Sequence, residues 1–157
     1  MALLVMLQTI IVSRLPILLG TADLVLIALV AWALQERVKN AWAWTIIGGL
    51  LVSYVSALPY LTPLIGYLII TWIALTLRKR IWQTPILAML VVTFLGTLIT
   101  QGLAIVALQV NGITFSLRDA LELVVLPSVL LNLLLAMPIH TIMVDLAHWA
   151  FPLEIQS

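Results

Sequence analysis

Six apolar runs, divided by short clusters of charge or by proline, set what this chain can become. The first begins at Met1 and meets Arg14 and Pro16. The second starts near Asp23 and ends at Gln35, Glu36 and Arg37, and the third covers 41–58 before Pro59 and Pro63. The fourth covers 63–77 and stops at Arg78, Lys79 and Arg80; the fifth covers 85–110 and stops at Asn111 and Gly112. The sixth extends from Ser116 to about Trp149. A helix that crosses a bilayer needs about 20 predominantly apolar residues. The third and fifth runs meet this directly, whereas the second and fourth need residues from the adjacent loops. The first two runs can also be read as a broken or re-entrant hairpin. The pattern therefore predicts an all-α integral membrane protein of about six helices in one bundle, with five spans as the competing count.

Composition closes off a water-soluble alternative. Hydrophobic residues are 64% of the 157 and charged residues 8%, and the mean hydropathy is +1.26. A soluble domain carries charge on about a quarter of its residues. The length suits a single domain over 1–157 with no linker. The absence of cysteine removes disulfides, thiolate metal sites and a cysteine nucleophile. A net charge of +1 offers no footprint for nucleic acid. The first residues lack a basic leader and an A-x-A cleavage site, so they read as a retained helix.

Lys and Arg counts predict the orientation. With six spans, Arg37, Lys39, Arg78, Lys79 and Arg80 share a side with both termini, and Arg14 and Arg118 lie opposite. Both termini are therefore expected in the cytoplasm. Trp32, Trp42, Trp44, Trp72, Trp82 and Trp149 fall toward that same side and read as a one-sided aromatic belt.

The polar residues inside the runs fall into stripes. Helix three carries Ala41, Thr45, Gly49, Ser53 and Ala57 at four-residue steps along one face. Helix five carries Gly96, Thr100 and Ala104, and helix six carries Ser128, Asn132, Ala136 and His140. Small residues let backbones approach closely in lipid, and the polar ones can bond across helices. Each stripe either packs the bundle internally or receives another protein's helix. Helix six also contains Pro127 and Pro138, each of which removes a backbone hydrogen bond. Ser116, with Asp119 three residues on, marks its start as a cap. Asp23 opens helix two at the outer face, with Arg14 as its expected ion-pair partner. Arg78, Lys79 and Arg80 are expected at anionic lipid headgroups.

No P-loop, H-E-x-x-H or G-x-S-x-G pattern occurs, and no pair of carboxylates falls mid-run. His140 and Asp145 diverge by about 140° around a helix, which argues against a metal site with His148. No catalytic, cofactor-binding or metal-ligating residue is therefore expected, and the chain reads as a non-enzyme.

In order of features the chain resembles the bacterial rod-shape-determining MreD family along nearly its full length. The residues that carry the resemblance are Gln8, then Ala-Asp-Leu at 22–24, then Gly49-Leu50-Leu51. Pro63-Leu64-Ile65-Gly66-Tyr67 follows, then the more specific Leu-Pro-Ser-Val-Leu-Leu-Asn-Leu-Leu at 126–134 and Pro138. The family often places an acidic residue after the helix-three Gly-Leu pair; Ser53 stands near that place here. The resemblance implies a non-enzymatic inner-membrane scaffold of the cell-elongation complex, without a cofactor. Its implied partners are an MreC-like bitopic protein, a RodA-type glycosyltransferase with a class B penicillin-binding protein, MreB, and membrane lipids. It also implies a fold similar to the S-components of energy-coupling-factor vitamin transporters. A substrate-binding S-component is the alternative function, with Arg14, Asp23 and the 111–119 loop lining its cavity. The residues expected to pack helices or meet a partner are Gly49, Ser53, Ala57, Gly66, Ser128, Asn132, Ala136 and Pro138.

Overall fold

The computed structural model describes residues 1–14, 22–58, 61–80 and 84–152, with side chains described to residue 10 in the first segment. Six helical elements occupy the six apolar runs, and no strand occurs among the described residues. They are α1 (Ala2–Arg14), α2 (Leu24–Leu34), α3 (Ala41–Val55), α4 (Thr62–Arg78), α5 (Pro85–Val110) and α6 (Leu117–Ala150). The last two are long and apolar enough to cross a membrane. With 13 and 11 residues, α1 and α2 are short of the length a straight span requires.

The helix α6 is a continuous run interrupted by a π-helical turn at Leu121–Val125. Pro127 lies just beyond it and has no N–H to offer the preceding turn. The helix departs from α geometry there, whereas at Pro138 it remains α-helical. Ser116 stands at the cap position without a side-chain bond to the helix. An exposed Arg118–Glu122 pair at 2.8 Å spans the first turn instead.

The centre of the bundle is α2. Its sequence, LVLIALVAWAL, is apolar on every side, and a helix of that kind is stable only when surrounded. Every residue from Leu24 to Ala33 is buried, and α2 contacts each of the other five helices. Trp32 is buried with it and packs against Phe151, with ring centroids 6.2 Å apart. The aromatic belt expected from sequence is therefore corrected at Trp32, while Trp42, Trp72 and Trp149 are exposed.

Small residues bring α3, α4 and α5 together. A Cβ on Gly49 of α3 would lie 2.5 Å from Leu64 Cδ1 and 3.0 Å from Leu64 Cα on α4. One on Gly66 of α4 would lie 2.9 Å from Thr100 Cγ2 on α5, and Gly96 of α5 sits against Ile70 of α4. Thr45 and Thr71 join α3 to α4 by a buried hydroxyl–hydroxyl bond of 2.7 Å. The helix-three stripe is thus filled by α4 at Thr45 and Gly49. Ser53 is half-buried, and Ala57 is exposed and lies past the helix end. Thr45 and Gly49 of the stripe are therefore taken up inside the bundle, whereas Ser53 lines an open groove and Ala57 is exposed.

The exterior is apolar. Exposed large side chains include Leu3 and Met6 on α1, Ile46 and Leu50 on α3, Ile65 and Trp72 on α4, Phe94 and Val106 on α5, and Leu130 and Leu134 on α6. Two glycines test this packing in opposite directions. Gly49→Ala forces the α4 backbone to shift, and overpacking of this kind costs about 1–3 kcal/mol. Gly102 in α5 has nothing within 4 Å of a built Cβ, so Gly102→Ala should stabilise by about 0.5–1 kcal/mol through helix propensity. Thermal unfolding in mild detergent should lower the midpoint for the first variant and raise it for the second.

Candidate functional site

The first amides of any helix lack partners within the helix. At the start of α2 they are buried, so side chains from other helices must bond them. Asp23 caps the helix: its Oδ1 accepts the Leu26 amide at 2.9 Å. The Asp23 amide donates to Asn132 Oδ1 of α6 at 2.8 Å, and the Val25 amide donates to Gln8 Oε1 of α1 at 3.2 Å. The Tyr67 hydroxyl of α4 donates to the Asp23 carboxylate, 2.8 Å from each oxygen.

The network extends into α5. Asn132 Nδ2 donates to Thr97 Oγ1 at 2.9 Å, and Thr97 donates back to the Thr93 carbonyl at 2.8 Å. One turn away, Gln101 Nε2 donates to Ser128 Oγ at 3.2 Å. Ser128, Asn132 and Ala136 are fully buried, so the helix-six stripe faces the bundle interior. His140 continues the stripe half-buried, and its Nδ1 has no bonding partner among the described residues. Pro138 is exposed on the other side.

The opposite end of α2 is closed by one cation. Arg78 Nη1 donates to the carbonyls of Ala33, Gln35 and Val38 at 3.3, 2.7 and 3.1 Å. Positive charge at a helix C-terminus is favoured by the helix dipole as well as by the orphan carbonyls. Arg78 was expected at lipid headgroups; it turns inward instead, while Lys79 and Arg80 are exposed. Arg37 Nη1 approaches the Phe151 carbonyl at 3.4 Å and ties the C-terminal end of α6 to the same region.

Beside Asp23 lies a cavity of about 160 Å³. Its polar lining is Gln8, Asp23, Ser56, Thr62, Tyr67, Thr100 and Gln101, drawn from the first five helices and their connections. The side chain of Arg14, the expected partner of Asp23, lies outside the described residues. The 111–119 loop does not line the cavity. A second concavity is a shallow apolar groove on the outer face of α3 and α4. It is lined by Leu50, Ser53, Tyr54, Leu58, Leu61 and Ile65. Among the described residues Ser53 Oγ is buried there with no hydrogen-bond partner, and Tyr54 is 91% exposed.

Sequence reading singled out Asp23, Ser128 and Asn132, and the structure brings them together with residues it did not weigh as a site. Gln8 and Tyr67 entered only through the family resemblance. Thr93, Thr97, Thr100 and Gln101 share one face of α5, a spacing that marks a polar stripe beside the glycine stripe. Among the described residues no three His, Cys, Asp or Glu side chains converge. No family model matches the chain, and neither a curated protein nor a solved structure matches it significantly.

Asn132 joins α2 to α5 within this network. Asn132→Leu removes two bonds and strands the Asp23 amide. A lost bond together with a buried unsatisfied donor costs about 1–3 kcal/mol. Chemical unfolding in detergent should show a clearly lower midpoint, with the chain still inserted and monodisperse.

Proposed function

We propose that this chain is a non-enzymatic scaffold embedded in the bacterial inner membrane, of the MreD type, which seats the single membrane helix of an MreC-like partner. The observation that carries the reading is a convergence. Gln8, Asp23, Tyr67, Ser128 and Asn132 lie in segments that carry the family resemblance and are far apart in sequence. All five meet in or beside one hydrogen-bonded core. The apolar exterior supports the membrane setting, because hydrocarbon is the solvent that such a surface suits. Six spans with both termini in the cytoplasm follow from the basic residues, and Lys79 and Arg80 take the headgroup contacts.

The partner's seat in this reading is the α3–α4 groove. It is concave and apolar, and it contains a buried hydroxyl, Ser53 Oγ, that has no hydrogen-bond partner among the described residues. An incoming helix supplies close packing and a partner for that hydroxyl. Through the bitopic partner the scaffold supports the RodA-type glycosyltransferase, its penicillin-binding protein and MreB.

A second reading, the S-component of a vitamin transporter, is favoured by the polar cavity beside Asp23. Pockets for organic ligands are typically about 300–1,000 Å³, and the smaller volume of this cavity supports the scaffold over a vitamin binder. The scaffold reading stands first.

Leu50→Trp with Ser53→Phe fills the groove without touching Gly49. Co-purification from gentle detergent should then lose the MreC-like protein, by about tenfold or more. Leu134→Trp, on an exposed face of α6, should retain it. Retained binding by the groove variant would move the seat elsewhere. Capture of ATPase subunits and a vitamin in place of cell-wall proteins would favour the transporter.

A further inference from the structure

The helices end at different heights on the two sides of the bundle, and side-chain contacts give the register. Gly66 of α4 lies against Thr100 of α5, and Gly96 of α5 lies against Ile70 of α4. The two helices therefore run antiparallel in step. Followed one way, Arg78 comes level with Ala88, within one turn of the start of α5 at Pro85. Followed the other way, Thr62 comes level with Ala104, and both line the cavity beside Asp23. There α4 stops, whereas α5 continues to Val110, a further six residues or about 9 Å at about 1.5 Å per residue. The helix α6 is bonded to α5 at Asn132–Thr97 and Gln101–Ser128, which carries its start at Leu117 beyond the same level. On the other side α3 ends at Val55, and Tyr54 of its last turn shares the groove with Leu61 and Ile65 of α4.

A bilayer cannot meet both sides at one thickness. With 15 and 17 residues, α3 and α4 span about 22 and 26 Å. The hydrocarbon core of a typical bilayer is about 30 Å thick. With 26 residues, α5 spans about 39 Å. Tilt only shortens each span. Backbone outside a helix carries unpaired polar groups, which are not tolerated facing lipid within the hydrocarbon. Residues 56–58 are not helical, so on the α3–α4 side the hydrocarbon must end where the helices end.

Side chains mark the same boundary. Tyr54 is almost fully exposed in the last turn of α3, and tyrosine favours the headgroup level. The exposed Trp42, at the opposite end of that helix, is only about 18 Å away along the axis. Ser56, Thr62, Thr100 and Gln101 bring polar groups to the level where α3 and α4 stop. Against α5 the exposed side chains at and beyond that level are still apolar: Val106, Val110 and, in the turn that follows, Ile113.

Given the membrane setting proposed above, on which this step rests, we propose that the α3–α4 face is fitted to a thinned bilayer. Headgroups and water descend by about 9 Å over the end of that face nearest Asp23, while hydrocarbon keeps its full depth against α5 and α6. A bilayer meets a short apolar surface by thinning locally. The face therefore selects shorter or more disordered acyl chains, and an apolar helix seated in the α3–α4 groove must be correspondingly short.

The chain has no cysteine, so single introduced cysteines can carry a nitroxide label. Leu61→Cys on α4 and Val106→Cys on α5 replace exposed residues at nearly the same height in the fold. Ile69→Cys and Leu98→Cys form a second matched pair nearer the middle. The full chain is reconstituted in dioleoyl phosphatidylcholine, and the depth of each label is read from its collisions with oxygen and with a water-soluble nickel chelate. The label at position 61 should lie shallower than that at 106 by about 9 Å, with the labels at 69 and 98 both deep. In dimyristoleoyl phosphatidylcholine, whose core is thinner, the label at 106 should rise toward water and the difference should shrink. Equal depths at 61 and 106 in the dioleoyl lipid would overturn the proposal, as would a difference that persists unchanged in the thinner one. Water-accessible labels at both 69 and 98 would instead overturn the membrane setting itself.

Discussion

A helix start buried among other helices must have its free amides bonded, and the rest of this bundle is arranged around how that is done at α2. Asp23 supplies one acceptor from within the segment, while Asn132 and Gln8 supply others from α6 and α1. Tyr67 then fixes the carboxylate itself from α4. Four helices therefore have their register set at one point. An unsatisfied buried donor is costly, and low polarity strengthens the bonds that replace water. At the far end Arg78 performs the complementary task on the carbonyls of α2 and its following turn.

Between those two ends the helices have little to direct them except shape. Apolar side chains meeting other apolar side chains give no preference for one rotation over another when the surroundings are equally apolar. Glycine supplies the preference. Leu64 fits only where Gly49 has no Cβ, and Thr100 only where Gly66 has none. The sandwich of α3, α4 and α5 follows from these contacts. The same contacts take up Thr45 and Gly49 of the long stripe on α3 and leave Ser53 at the edge of the packing. The concavity that remains is beside it, where α3 ends at Val55 and α4 begins at Thr62.

The number of helices and most of their bounds were legible from charge and proline alone, because a buried charge or an interior proline is expensive enough to end an apolar run. Asp23 as the cap of α2 was legible for the same reason. Which helix sits at the centre was not. In a chain this apolar every run looks like α2, and hydrophobic periodicity cannot separate an inside face from an outside one. The inward turn of Arg78 was hidden as well. Three consecutive basic residues give no sign that the first meets backbone carbonyls 40 to 45 positions earlier. The polar face of α5 was present in the residues, but a glycine pattern on the same helix drew the reading away from it. For the helix-three stripe, small residues established that something packs closely, and only the fold showed that the neighbour is α4.

The central claim is that α2 is a buried core helix clamped at both ends, and amide hydrogen exchange measures this most directly. In detergent or lipid discs, amides from Leu26 to Ala33 should be the slowest to exchange in the chain. Tyr67→Phe removes the hydroxyl that holds the Asp23 carboxylate, and should speed exchange first at the start of α2 while leaving the middle of α6 unchanged. If α2 exchanges as fast as α1 in the unaltered protein, or if Tyr67→Phe leaves its protection intact, the clamp does not organise the bundle and the account fails.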